Sequence, residues 1–304
     1  MREDVVTMGL NKATTYSNAG FTLVEMAIVM VIIGLVMLTV FPALNAVRTA
    51  NERSLTQNNL HSLMLATAAY VQASGCLPCP ASAGVVGVNF GKVGTTNNVA
   101  CGACSGTAAE GIPPFASLGI PSTTAHDGWG HWITMRVDTA LTSIPTSATS
   151  VFVPPWAPCN ATDVTNGFCT SAQLTYADKG ICKVATATSS SSISGIGISN
   201  GTNGATISQY AAVIFVSHGS TGYGSYFAQA IPAINNGTVL SFPSNYTSCA
   251  SGSYAMCNEA GGGSTFYDMP SIVSSTNPYD DILLYANRNT LVSMLGNPSC
   301  NTVW

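Results

Sequence analysis

What this sequence has least of is charge. Of 304 residues, 9 are Lys or Arg and 13 are Asp or Glu, which is 7% of the chain with a net charge of −4. Cytosolic globular proteins carry about 25% charged residues. No run of Lys or Arg occurs, so neither a nucleic-acid footprint nor a polybasic lipid patch is present. Cysteine is missing from the first 75 residues, although ten follow. The apolar run near the N-terminus has no A-x-A site after it and exceeds the ~7–15 residues of a secretory h-region, which weakens a cleaved signal peptide. There is no internal repeat and no nucleophile–base–acid set in a plausible order, so the chain reads as a non-enzyme, against an alternative of a membrane-anchored periplasmic hydrolase or redox protein.

Ser, Thr, Asn and Gly supply the polarity that charge does not. Apolar residues reach 46% and the mean hydropathy is +0.31, a texture of exported surface proteins. The cysteines are Cys76, Cys79, Cys101, Cys104, Cys159, Cys169, Cys182, Cys249, Cys257 and Cys300. An even set confined to one region of the chain suits an oxidising compartment and disulfides. Cys76-Leu-Pro-Cys79 and Cys101-Gly-Ala-Cys104 are two C-x2-C knuckles. In a reducing cytosol they would signal a four-thiolate Zn2+ site; in an exported chain disulfides are favoured. Spacing leaves open whether such bonds lie within or between the knuckles.

Three segments follow from patterning. Residues 1–20 are polar and lack apolar periodicity. From Phe21 the chain turns apolar, and Met26 to Leu44 is a 19-residue stretch without charge. As a helix it spans roughly 28 Å, one hydrocarbon thickness. Beyond it the pattern turns amphipathic, with Leu44, Val47, Leu55, Leu60, Leu63, Thr67 and Tyr70 at steps near 3 and 4. One helix is expected over 22–72, within a segment 21–75 that ends at Ser74-Gly75 and Pro78. Pro42 inside it should loosen or kink the helix. Residues 76–304 read as loops and short strands, with strands at 131–137, 151–153 and 210–217. Low-complexity loops are expected at 186–204 and 259–264, and a short helix, or a strand then a helix, at 279–295.

The junction SNAG-FTLVEMAIVMVIIGLVML resembles the prepilin processing motif, through Gly20, Phe21 and Glu25, and Pro42 matches a proline common in such helices. The resemblance to the type IV prepilin and type II secretion pseudopilin family covers residues 20–72. It implies a fold: a long N-terminal α-helix, membrane-spanning in its first half, packed on a disulfide-braced, mainly antiparallel pilin-like domain of the α+β class. It also implies that a prepilin peptidase removes residues 1–20 by cutting between Gly20 and Phe21, then methylates the new amine. The partners implied are other pilin subunits, an inner-membrane assembly platform and its ATPase. The chain would be a single-pass inner-membrane protein before assembly and belong to a bacterial periplasmic or extracellular filament afterwards. A minor or large pilin is the expected role, with a secretion pseudopilin as the alternative.

A carboxylate heading a bilayer-spanning run costs several kcal/mol unless it is paired. Cleavage creates a cation on Phe21. In the family the Glu of an incoming subunit pairs with that amine of a neighbour, so Phe21 and Glu25 are the expected assembly residues. The leader lacks the basic residues usual before the Gly, with Lys12 the nearest, and Met8 is an alternative start to Met1. Gly111–Val137 resembles the D-x-W-G strand-entry motif of pseudopilin-like domains, with a turn at Asp127-Gly128. Residues 213–226 and the YDD at 279–281 resemble segments of prepilin-type proteins of Gram-negative bacteria.

Weaker patterns have bland readings. Gly197-Ile-Ser199-Asn-Gly201 matches G-x-S-x-G, but it sits in a Ser/Gly tract with no acid between it and His218. His126, Asp127 and His131 as metal ligands compete with a plain turn and strand. Asp280-Asp281 as a Ca2+ site competes with a solvated helix start. No cofactor is expected. Tyr223, Tyr226 and Tyr246, read as exposed aromatics, leave an adhesin open. Asn160, Asn200, Asn236 and Asn245 head N-x-S/T triplets, which mark surface polarity only.

Overall fold

The computed structural model describes residues 22–74, 76–85, 87–93, 104, 109–142, 195–202, 204–227, 238–249, 252–260, 265–274, 276–287, 290, 291 and 294. The expected strand at 151–153 and the residues Cys101, Cys159, Cys169, Cys182 and Cys300 lie outside these. The chain divides into two compact units, residues 1–49 and 50–304.

Helix α1 runs Leu23–Ser74, within two residues of the expected span and unbroken at position 42. Its N-terminal stretch is built from Leu, Val, Ile, Met and Ala, and the side chains described there are exposed. It is long and apolar enough to cross a membrane, and none of its most apolar window is buried within the chain. Towards the C-terminal end of the helix a single stripe is buried: Thr56, Leu60, Leu63, Met64, Thr67, Ala68 and Val71. These repeat at the three- and four-residue steps of one helical face. Leu55, expected on that face, is 51% exposed. It stands one position before Thr56, which turns it about 100° off the stripe.

The second unit is α+β. Its strands are β1 (Glu110–Gly111), β2 (Thr134–Val137), β3 (Ile196–Asn200), β4 (Thr206–Ser217), β5 (Thr265–Asp268) and β6 (Ile282–Asn287). Short helices α2 (Phe115–Leu118) and α3 (Tyr254–Cys257) lie between them. Strand β4 is the spine and pairs antiparallel with β2, β3 and β6. β1 pairs antiparallel with β2, and the β3–β5 pair is parallel. Alternation along β4 serves two cores. Val213 and Phe215 join the cluster that holds the buried stripe of α1, with Ile133, Met135 and Val137. Ile214 and Val216 face the other way, among Ile196, Ile198 and Phe266. A third cluster gathers Ile112, Phe115 and Trp132, with the Phe90 ring edge-on to both aromatics at 5.4 and 5.7 Å.

Two expectations change, and a third is decided in favour of its strand-then-helix alternative. The Ser/Gly/Thr tract at 186–204 contains β3, because Ile196 and Ile198 alternate into a core while Gly and Ser occupy the other face. β2 begins at Thr134 rather than at residue 131, because His131 N–H donates to the Asp127 carboxylate at 2.8 Å. Within 279–295 the strand is β6 and residues 290, 291 and 294 are helical.

Disulfides join Cys79 to Cys104 and Cys249 to Cys257, with Cα atoms 5.8 and 5.0 Å apart, and Cys76 is disulfide-bonded too. The Cys79–Cys104 bond crosses between the two knuckles, so the four-thiolate Zn2+ alternative loses two of its ligands.

Candidate functional site at the head of the long helix

The first turn of α1 is closed by its own side chains. Glu25 Oε2 accepts from the Thr22 main-chain N–H at 2.9 Å and from the Thr22 hydroxyl at 3.0 Å. The Thr22 hydroxyl oxygen in turn accepts from the Glu25 N–H at 3.2 Å. Met26 N–H donates to the Thr22 carbonyl at 3.2 Å, starting the helical ladder. This is a reciprocal capping box, in which two orphan donors of a helix start are satisfied. Reading Glu25 only as a partner for an amine overlooks it, although Thr22-Leu-Val-Glu25 is the T-x-x-E pattern that marks such a box. Among the described residues, both bonds that Glu25 accepts use one carboxylate oxygen, Oε2. Leu23, Val24, Ala27, Ile28, Val31 and Ile32 form an exposed apolar patch along the next turns. Gly20 and Phe21 lie outside the described residues, as does the side chain of Pro42.

The other candidates of the sequence fall in the second unit. Asp127 organises the turn at 127–130. Its Oδ1 accepts from the N–H groups of Trp129 at 3.0 Å and His131 at 2.8 Å, and its Oδ2 from the Ser217 hydroxyl at 2.8 Å. His131 Nδ1 stands 3.7 Å from Asp127 Oδ2, and this contact holds the imidazole above its ordinary pKa. His126 stacks on Trp132 at 3.7 Å between centroids, and burial lowers its pKa. The three residues therefore serve a turn and its neighbours. Among the described residues no group of three His, Cys, Asp or Glu converges as metal ligands.

Asp280 and Asp281 precede a strand, β6, and Asp281 is buried, which corrects the expectation of a solvated helix start. Asp280 accepts from the Ser220 hydroxyl, the Thr221 N–H and the Thr221 hydroxyl at 2.9–3.1 Å. Asp281 is buried and accepts from the Asn258 amide at 2.8 Å. Ser199 sits on β3, which turns directly into β4, so the strand–elbow–helix of a serine hydrolase is not built there. Tyr223, Phe242 and Tyr246 pack on one another at 4.9–6.0 Å. With Tyr226 they are half-buried, which corrects the reading of these tyrosines as exposed.

One constellation was not legible in the sequence because its members lie far apart. Thr134 Oγ1 is 2.9 Å from His218 Nε2, and His218 Nδ1 is 3.9 Å from Asp281 Oδ1. The order looks like a nucleophile–base–acid row, yet His218 and Thr134 are fully buried. Burial lowers the His218 pKa to about 3 and raises that of Asp281 well above the carboxylate range. His218 is therefore neutral at pH 7, so the 3.9 Å contact is not an ion pair, and with Thr134 and His218 fully buried no substrate reaches the hydroxyl. The row is core.

No curated protein and no solved structure matches the chain. The sequence around the capping box does match. Residues 16–41 fit the family model of the prokaryotic N-terminal methylation motif, so the chain carries the prepilin-type signature of type IV pilin-like and pseudopilin proteins in general.

Proposed function

We propose that the chain is a structural, non-catalytic subunit of a type IV pilus-like filament, a minor or large pilin assembled through α1. The observation that carries this is Glu25, one carboxylate at the head of an apolar helix exposed along its N-terminal stretch, inside the methylation motif. The motif implies processing by prepilin peptidase and assembly with other pilins, and with the apolar helix it fits inner-membrane anchoring before assembly.

Hydrolysis of the Gly20–Phe21 peptide bond removes the polar leader and leaves an ammonium group on Phe21, one residue from the capping box. While the subunit waits in the membrane, Thr22 engages Glu25 Oε2 and reduces the cost of a carboxylate beside hydrocarbon. Oε1 remains for a donor from outside the subunit. The Phe21 amine of a neighbouring subunit is that donor, and a charge pair in an apolar bundle fixes the axial register. Pro42 removes one ladder bond and lets the helix adjust in the bundle. Residues 76–304 form the outer layer, and the disulfides suit its oxidising surroundings.

Two measurements test this. Intact mass of the mature protein is expected to begin at Phe21 and carry a methyl increment of about 14 Da. Glu25→Val is expected to be cleaved normally but to be absent from the sheared surface fraction. Normal filaments from that variant would refute the pairing. Loss of exoprotein secretion rather than of surface fibres in a deletion strain would move the reading to a secretion pseudopilus.

A further inference from the structure

Asn258 is fully buried and follows directly on α3, the helix that ends at the Cys249–Cys257 disulfide. Its Oδ1 accepts from the Tyr267 N–H at 2.8 Å, and its Nδ2 donates to the Tyr267 carbonyl at 2.9 Å. The Tyr279 hydroxyl donates to the same carbonyl at 2.6 Å. Tyr267 is in β5, whose one strand partner among the described residues is β3. In a strand the N–H and C=O of a given residue point to the same side. Since both groups of Tyr267 go to Asn258, they face away from β3, and the side-chain amide occupies the place of a next strand. The Asp281 carboxyl fixes the amide orientation by accepting from Nδ2 at 2.8 Å.

An unpaired strand edge is a template for pairing with another chain, and proteins block such edges. We propose that the Cys249–Cys257 knuckle is an edge clasp: through Asn258 it closes the outer edge of β5 to strand addition by a second copy of this chain. The filament reading gives the clasp its setting, because assembly sets copies side by side. The clasp itself does not depend on that reading and is tested without filaments.

The experiment uses the full chain in detergent micelles, followed by sedimentation velocity and by hydrogen exchange at the Tyr267 amide. Asn258→Ala is expected to exchange at Tyr267 about tenfold faster and to sediment as dimers or larger species relative to the unaltered chain. Adding Thr265→Pro to Asn258→Ala is expected to restore the original sedimentation. Thr265 faces outward as Tyr267 does, two residues on, and the first residue of an edge strand accepts proline while denying a partner its N–H bond. Asn277 accepts from the Thr247 N–H at 2.8 Å and donates to the Thr247 hydroxyl at 2.9 Å, and neither residue belongs to one of the six strands. Asn277→Ala is therefore the control and is expected to leave sedimentation unchanged. Where Asn258→Ala does not fold, the Cys249→Ser, Cys257→Ser chain is read in the same way. Unchanged sedimentation of the Asn258 variant overturns the clasp, and so does association that Thr265→Pro leaves in place.

Discussion

Residues in this chain do with amides and neutral groups what other proteins do with charge. Asn59 ties α1 to the His126 carbonyl at 2.8 Å, Asn277 ties two loops, and Asn258 closes a strand edge. Among the described residues the Arg136–Glu110 pair at 2.7 Å is a salt bridge that does not involve histidine. The buried His218 and Asp281 follow the same economy of charge and set a pH dependence. Neutral His218 in the fold titrates near 3, whereas in the unfolded chain it takes up a proton below about 6.5. Its stabilising share is thus complete above about pH 6.5 and is lost as the pH falls toward 3. In that window unfolding binds about one extra proton, a slope of about 1.4 kcal/mol per pH unit. Asp281 works in the opposite sense: its carboxyl keeps a proton in the fold above 3.8, so its share declines as pH rises through its elevated value. His218→Gln removes only the first effect. Urea unfolding from pH 6.5 to 4 is expected to show the variant less acid-sensitive than the parent by about that slope; equal slopes would mean that His218 is protonated in the fold.

At the scale of elements, the part of α1 that belongs to the second unit is held to that unit's turn by close backbone approach. The Gly128 N–H donates to the Thr56 hydroxyl at 2.8 Å, while that hydroxyl donates to the Glu52 carbonyl at 2.8 Å. A Cβ at Gly128 would collide with the Glu52 carbonyl and main chain, which gives the glycine in Asp127-Gly128-Trp129-Gly130 a physical reason. Gly128→Ala is expected to cost about 1–3 kcal/mol, read as a lower urea midpoint at unchanged slope; a midpoint within error of the parent would show that the turn yields freely. The helix and this turn were legible because hydrophobic periodicity and D-G chemistry are local signals. β3 was not, since its five residues include Gly, Ser and Asn and two isoleucines carry the whole apolar face. The pairing of β4 with three strands was equally hidden, because register depends on which distant segments meet. The capping box has a local signature in Thr22 and Glu25, but the same Glu25 also fits a charge partner, and the T-x-x-E spacing alone does not separate the two roles.

At the scale of the whole molecule, the two units are written for different solvents. The first core residue that α1 contributes to the main apolar cluster is Leu60, and Thr56 is the earliest buried position on the helix among the described side chains. The described apolar residues before position 50 are exposed, Leu23 and Leu38 among them at 86% and 74%. About 25 cal/mol favours burial of each Å² of such surface, which fits inner-membrane anchoring before assembly. Among the described residues, the three core clusters are built from positions 60 onward. A chain starting at Ala50, exported to an oxidising compartment so that Cys79–Cys104 and Cys249–Cys257 form, is expected to be soluble without detergent. Its thermal midpoint should lie within about 4 °C of the full chain in micelles, since that shift corresponds to about 1 kcal/mol in a domain of this size. Aggregation of the truncated chain, or a midpoint lower by more than that, would mean that the apolar half of α1 also supports the domain it precedes.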